Sequence, residues 1–315
     1  MHKKISFIIT KWKNHFPWTN VYGLARSIIA LSSMLTLLFN SPEVLFKPSS
    51  LTNDFPSCTT GYSIFCLGQN NYVYLDLIRW TCVIFLFFVI IGWRPRITGI
   101  IHWYISYSMQ MSLVVIDGGE QAAAVITFLL IPLTLTDPRK WHWDINYEGE
   151  KHSVYFKIIA NISYFFIRLQ VAVLYFHSTV AKLKNKEWID GTAVYYYSHE
   201  KTVGFNHLLG NLSEPIVTSP LVILPTWGTL IIQLVLFGAF FTPKKYWSPL
   251  FVIAITMHEI FALMLGLISF SMIMFGILIL YLVPIDKKLE LDNILFRKYN
   301  LNGKYILLKE KGGID

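Results

Sequence analysis

Six polar side chains stand in or at the end of long apolar runs. Arg168, Gln170, His177 and Lys182 follow one another along one run, and His258 and Glu259 are adjacent in another. A deprotonated lysine is a base, a histidine moves protons near neutral pH, and a carboxylate does either once its surroundings set its pKa. Inside a bilayer such groups are costly and by default indicate function; the structural alternative is that they hold helices together. Arg168 shares a helical stripe with Tyr175, Thr179 and Lys182, while Gln170 and His177 lie two turns apart on a second stripe. A helix with two polar stripes is not lipid-facing all round, so this one is buried in a bundle or lines a wet cavity. Arg168 and Glu259 fall at matched depth. The cost of an unpaired charge in lipid therefore predicts that Arg168, Glu259 and His258 share one buried cluster. Lys182 opens a lysine-rich stretch with Lys184 and Lys186, where a solvated lysine is the simplest account; a base would need burial to lower its pKa.

The elements that must position these groups follow from composition. Of 315 residues, 54% are hydrophobic and 15% charged, against about 25% charged in an ordinary soluble domain. That excludes a disordered chain, a collagen, a secreted disulfide scaffold and an ordinary cytosolic enzyme. Eight runs approach the length of about 20 apolar residues that a bilayer span needs. They are 21–39, 72–92, 97–116, 121–136, 154–181, 222–241, 249–265 and 268–284. The last two share one apolar stretch, with a turn predicted near Gly266. The fold class is all-α: a polytopic membrane helix bundle of about eight spans.

The net charge of +8 invites a nucleic-acid partner, but its distribution is a topology signal. With the N-terminus inside, the inner segments hold Lys3, Lys4, Lys11, Lys13, Arg94, Arg96, Arg139, Lys140, Lys151, Lys244, Lys245 and the basic residues after Pro284. The outer loops hold only Lys47, Lys182, Lys184, Lys186 and Lys201. Basic residues collect in cytoplasmic loops, so both termini are expected in the cytoplasm, with the lipid bilayer as the partner and no nucleic acid.

Three regions are expected. Residues 1–19 form an amphipathic helix on the inner leaflet, 20–285 the membrane domain, and 286–315 a cytoplasmic tail in which Asn302-Gly303 marks a possible β-hairpin. No cleavable signal peptide is expected, because the first apolar run is too short. Asp76 and Arg79 can pair at i,i+3. Arg26 lies near a span end and can snorkel, and His102 is taken as structural. Cys58 and Cys66 fall in the first outer loop and are expected to form a disulfide, with Cys82 inside a span and reduced. No Walker loop, dinucleotide fingerprint, zinc-spaced Cys/His cluster or protease dyad is present, so no metal and no cofactor are expected.

Two stretches resemble known families. Pro17-Trp18-Thr19-Asn20-Val21-Tyr22-Gly23-Leu24-Ala25-Arg26, continued by Leu37-Leu38-Phe39-Asn40, resembles the opening of the sporulation-delaying protein B (SdpB) family. Gln170 to Ala193 carries Gln170, Tyr175-Phe176, Lys182-Leu183, Trp188 and Gly191. With His258-Glu259 and Ile268-Ser269-Phe270-Ser271-Met272, it resembles the wider membrane family of vitamin K-dependent γ-carboxylase, the horizontally transferred transmembrane (HTTM) domain. The first resemblance implies a multi-pass protein of the bacterial cell membrane. Such a protein would act with an SdpA-type partner in maturing an exported SdpC-type antimicrobial peptide precursor. The second implies that Lys182 occupies the position of a base acting on a quinone-like, lipid-soluble substrate, with His258 and Glu259 as further candidate catalytic groups. The large lumenal portion of the carboxylase has no counterpart in this chain.

Overall fold

The computed structural model describes residues 16–48, 54–58, 62–114, 117–144, 153–200 and 207–286. The expected tail hairpin and the first fifteen residues of the expected interfacial helix lie outside them. Residues 16–19 are not helical; the first helix among the described residues starts at Asn20.

Eight long helices make the body of the molecule: α1 Asn20–Phe39, α2 Tyr72–Ile90, α3 Pro95–Ser112, α4 Gly118–Leu135, α5 Val154–Lys182, α6 Ile223–Gly238, α7 Trp247–Leu265 and α8 Ile268–Leu282. Among the described residues there is no strand. Among the described residues, six segments are long and apolar enough to cross a membrane: Asn20–Phe39, Tyr72–Ile90, Gly118–Leu135, Val154–Lys182, Pro220–Phe241 and Lys244–Leu265. Two of the predicted spans fall short of that standard. Helix α3 is too polar, because Thr98, His102, Ser106, Ser108 and Ser112 run along it. Helix α8 is apolar but has only 15 residues.

Helix α8 is the centre of the bundle. It is hydrophobic all round, as a fully buried helix must be, and Ile273, Met274 and the run Gly276–Leu282 are buried. It packs on α1, α7, α4 and α5, while α3 packs on α4 and α2 closes against α1. Gly276 lets α1 approach: a Cβ there would lie 2.8 Å from the Ala25 carbonyl oxygen. Gly266 ends α7 in the left-handed conformation, with φ 72°, which glycine adopts without strain. The chain therefore reverses where the long apolar stretch predicts a turn.

The two ends of the bundle differ. At one end, Cys58 and Cys66 are bonded, with Cα atoms 5.8 Å apart. Ser112 ties α3 to this loop through Ser63, at 2.6 Å. Asp76 and Arg79 pair at 2.7 Å, and Arg79 also donates to the Leu37 carbonyl. Cys82 is a buried free thiol. Alkylation of the native protein without reductant is expected to label none of the three cysteines, and after unfolding only Cys82; labelling of Cys58 or Cys66 without reductant would refute the bond.

At the other end, the motif Pro17–Arg26 is locked to the segment after α4. Trp18 donates to the Leu133 carbonyl at 3.1 Å, and Tyr22 donates to the Asp137 carboxylate. Arg139 forms a fully buried, two-point ion pair with Asp137, at 3.0 and 2.8 Å. His142 wedges between Gly23 and Gly92. A Cβ on Gly92, whose φ is +82°, would lie 2.3 Å from the imidazole. Burial holds the His142 pKa well below the usual histidine range, and the Arg26 and Arg139 charges push the same way. One expectation changes here. Arg26 does not snorkel; it is fully buried and donates to Thr98 at 2.7 Å. The Thr19 hydroxyl, just before α1, donates to the Ile285 carbonyl at 2.6 Å, beyond the end of α8.

Candidate functional site

Helix α5 has 29 residues and rises past the start of α4 towards the disulfide end. Its residues 170–178, with α4, α6, α7 and α8, line a cavity of about 420 Å³. The polar lining comes from Gln121 of α4, Gln170, Tyr175, His177 and Ser178 of α5, Gln233 of α6 and His258 of α7. Val125, Val173 and His177 are exposed on the bundle surface, so the cavity opens sideways between α4 and α5 rather than along the bundle axis.

Helical periodicity puts Gln170, His177 and Ser178 on one side of α5, and all three line the cavity. His258 is buried, and its Nε2 lies 3.0 Å from the Tyr175 hydroxyl. Its Nδ1 has no hydrogen-bond partner. Phe270 packs edge-on against the imidazole at 5.3 Å and forms part of the same wall. Lys182 is the last residue of α5, half-buried, with its ammonium donating to Ser178 at 2.7 Å and standing 5.3 Å from the Trp188 ring. A cation at a helix C-terminus is favoured by the helix dipole, and its indole neighbour adds a cation–π contact. Trp188 is itself buried, against Ala193 and Leu230. Lys182 is thus held by packing rather than freely solvated.

The predicted residues divide into two groups. Gln170, His177 and His258 line one cavity, and Lys182 reaches it through Ser178. Arg168 and Glu259 do not meet. Arg168 donates to the Tyr281 carbonyl at 3.1 Å, and its guanidinium stacks 4.0 Å from the Trp247 ring. Glu259 is exposed and accepts from Ser271 at 2.9 Å. The predicted Arg168–Glu259–His258 cluster is therefore corrected. Trp247 opens α7 while Glu259 stands three turns later, so the two charges sit at different levels, and aromatic faces and a carbonyl serve Arg168 instead. His177 is exposed and Gln170 half-buried, where both were expected to be buried.

Sequence reasoning missed Gln121, Ser178 and Gln233. Gln233 could have been found, being the one amide in the apolar run of α6; it is buried and lies 3.4 Å from Thr179. Among the described residues, no group of three or more His, Cys, Asp or Glu converges as a metal site. The arrangement offers an imidazole within hydrogen-bond distance of a phenol, a lysine tied to a hydroxyl, and carboxamides that both donate and accept. Together they suit proton transfer to, and hydrogen-bonded holding of, a ligand that arrives from the bilayer side.

Comparison with known proteins gives two relatives, both from Bacillus subtilis (strain 168). One, the uncharacterized protein YitO, is 62% identical over 295 residues, covering 93% of this chain and 95% of the relative. The other, sporulation-delaying protein SdpB, is 36% identical over 296 residues, covering 91% of this chain and 89% of SdpB. No family model matches the chain, and no solved structure does. The likeness to the carboxylase-type membrane family finds no support in these comparisons.

Proposed function

The chain belongs to the family of sporulation-delaying protein SdpB, and from that premise we propose that it is a multi-pass cell-membrane protein required to mature an exported peptide toxin. In this reading the chain threads eight times with both termini in the cytoplasm, and the disulfide end faces outwards. The partners are an SdpA-type protein and an SdpC-type antimicrobial precursor. The observation that carries the proposal is the cavity between α4 and α5. It gathers Gln170, His177 and His258 with Lys182 at its rim, towards the disulfide end of the bundle.

Deletion of the gene in a strain that secretes the precursor tests the proposal, with the culture medium read by mass spectrometry. The expected result is loss of the mature peptide with the precursor retained. Unchanged mature peptide overturns it. A second reading rests on Lys182, which is half-buried against Trp188. There the protein is an HTTM-like membrane enzyme whose lysine base acts on a quinone-like, lipid-soluble substrate. The two readings share one site and differ in whether that site performs proton chemistry or only holds a peptide.

A further inference from the structure

Arg26 closes the motif Pro17–Arg26 and is fully buried, at the end of the bundle opposite the disulfide. Its Nη2 donates to Thr98 of α3 at 2.7 Å, while its Nε and Nη1 are buried with no hydrogen-bond partner. Guanidinium nitrogens only donate, so these N–H groups call for an acceptor. The Thr98 hydroxyl is already committed, since its own proton goes to the Trp93 carbonyl at 2.8 Å. His102 stands one turn after Thr98 on the same buried face of α3. Its Nε2 is also buried without a partner, and the Arg26 charge acts on this imidazole.

The buried charges do not balance. Arg26 and Arg139 are both buried, and an arginine keeps its proton in a protein. The carboxylate whose charge reaches both is Asp137. Its oxygens are taken: Oδ1 accepts from Arg139 at 3.0 Å, and Oδ2 accepts from Arg139 at 2.8 Å and from Tyr22. Tyr22 retains the proton that it donates there. Among the described residues the cluster thus carries one excess positive charge. Arg94 and Arg96 lie exposed beside it, at the start of α3, where the helix dipole is positive as well. A buried water could accept from an N–H, but it leaves the charge unpaired, and an unpaired buried charge is costly. His142 does not supply the acceptor's second donor. Ser27 gives its proton to the Ile90 carbonyl at 2.8 Å, so the neutral His142 ring donates to Ser27 through Nε2, at 3.2 Å. Its Nδ1 then has no proton to offer.

We propose that Arg26 and His102 bind one halide ion, chloride in the cell, between α1 and α3. A single excess charge calls for a monovalent anion. The unpartnered groups of Arg26 donate, and His102 in the tautomer protonated at Nε2 donates too, so the ligand is one that accepts and carries no proton of its own. It is also compact, because Arg26 and His102 are only 0% and 1% exposed. The ion joins the motif Pro17–Arg26 to α3, beside the lock made by Asp137, Arg139 and His142.

The full-length protein, purified in lipid nanodiscs without chloride, tests this by thermal unfolding in sodium chloride against sodium gluconate at equal ionic strength. Gluconate is an anion too large for the site. Binding to the folded state raises the midpoint with the logarithm of ligand concentration once the dissociation constant is passed. The expected result is a rise of about 5 °C at a hundredfold excess of chloride, the same behaviour with bromide, and none with gluconate. Arg26→Gln, which can still bond Thr98 but carries no charge, should lose the chloride dependence. His102→Leu, which keeps bulk and removes one donor, should raise the chloride concentration at which the midpoint begins to climb at least tenfold. It decides the matter if Arg26→Gln fails to fold. Equal midpoints in chloride and gluconate overturn the proposal, as they would for an arginine satisfied by water alone. A chloride-dependent rise that survives in Arg26→Gln, or that begins at the wild-type concentration in His102→Leu, also overturns it.

Discussion

Lys182→Ala is expected to abolish release of the mature peptide while leaving the amount of membrane-inserted protein unchanged. The side chain ends α5, bonds Ser178 and packs over Trp188, so alanine removes an ammonium but no part of the central core. A positioned base contributes about 10²–10⁴-fold to a rate, and a loss of that size reads as absence of product in a secretion assay. Lys182→Arg separates the two readings of the site. Arginine keeps the charge and can keep the cation–π contact, but it does not act as a neutral base. If the site performs proton chemistry, Lys182→Arg fails as alanine does. If it only docks a peptide, arginine restores most of the output. Normal product from both variants removes Lys182 from the mechanism.

Asp137→Ala is expected to destabilise the folded protein by about 3–5 kcal/mol, the usual cost of stripping one partner from a buried ion pair. Asp137 accepts from Arg139 at two points and from Tyr22. Its own carbonyl accepts from Arg96 at 2.8 Å. Alanine leaves the Arg139 guanidinium buried without a counter-charge. Replacing both partners, Asp137→Asn with Arg139→Gln, should cost less than Asp137→Ala alone, because no net charge is stranded. Thermal midpoints of the three purified proteins decide this; a double variant weaker than Asp137→Ala refutes the pairing.

The helices were legible because apolar runs announce them. Predicted spans such as 72–92 and 154–181 coincide within two residues with Tyr72–Ile90 and Val154–Lys182. What the sequence did not carry was azimuth and tilt. Matched depth suggested that Arg168 would find Glu259, yet Arg168 stacks on the indole of Trp247 and α7 turns Glu259 outwards. Hydropathy gives position along a helix, not the partner across it. The motif Pro17–Arg26 was conspicuous, but its partners Asp137, Arg139 and His142 lie more than a hundred residues away, in a stretch whose Trp and Tyr suggested only an interfacial loop. Around the cavity, Gln170, His177 and His258 were legible as polar groups in apolar helices, while Gln121 sat too near a turn to stand out.

Helix α5, at 29 residues, is about 43 Å long, whereas the hydrocarbon layer is about 30 Å thick. A segment that exceeds its solvent layer must tilt, thicken the layer or protrude, and the surrounding lipid decides the balance. In a thin membrane the Lys182 end stands proud among the headgroups while Gln170 remains in hydrocarbon. In a thicker one the lysine is drawn towards the acyl chains. Acyl-chain length is therefore a control variable for this site: it sets the wetness around the lysine without altering a single residue.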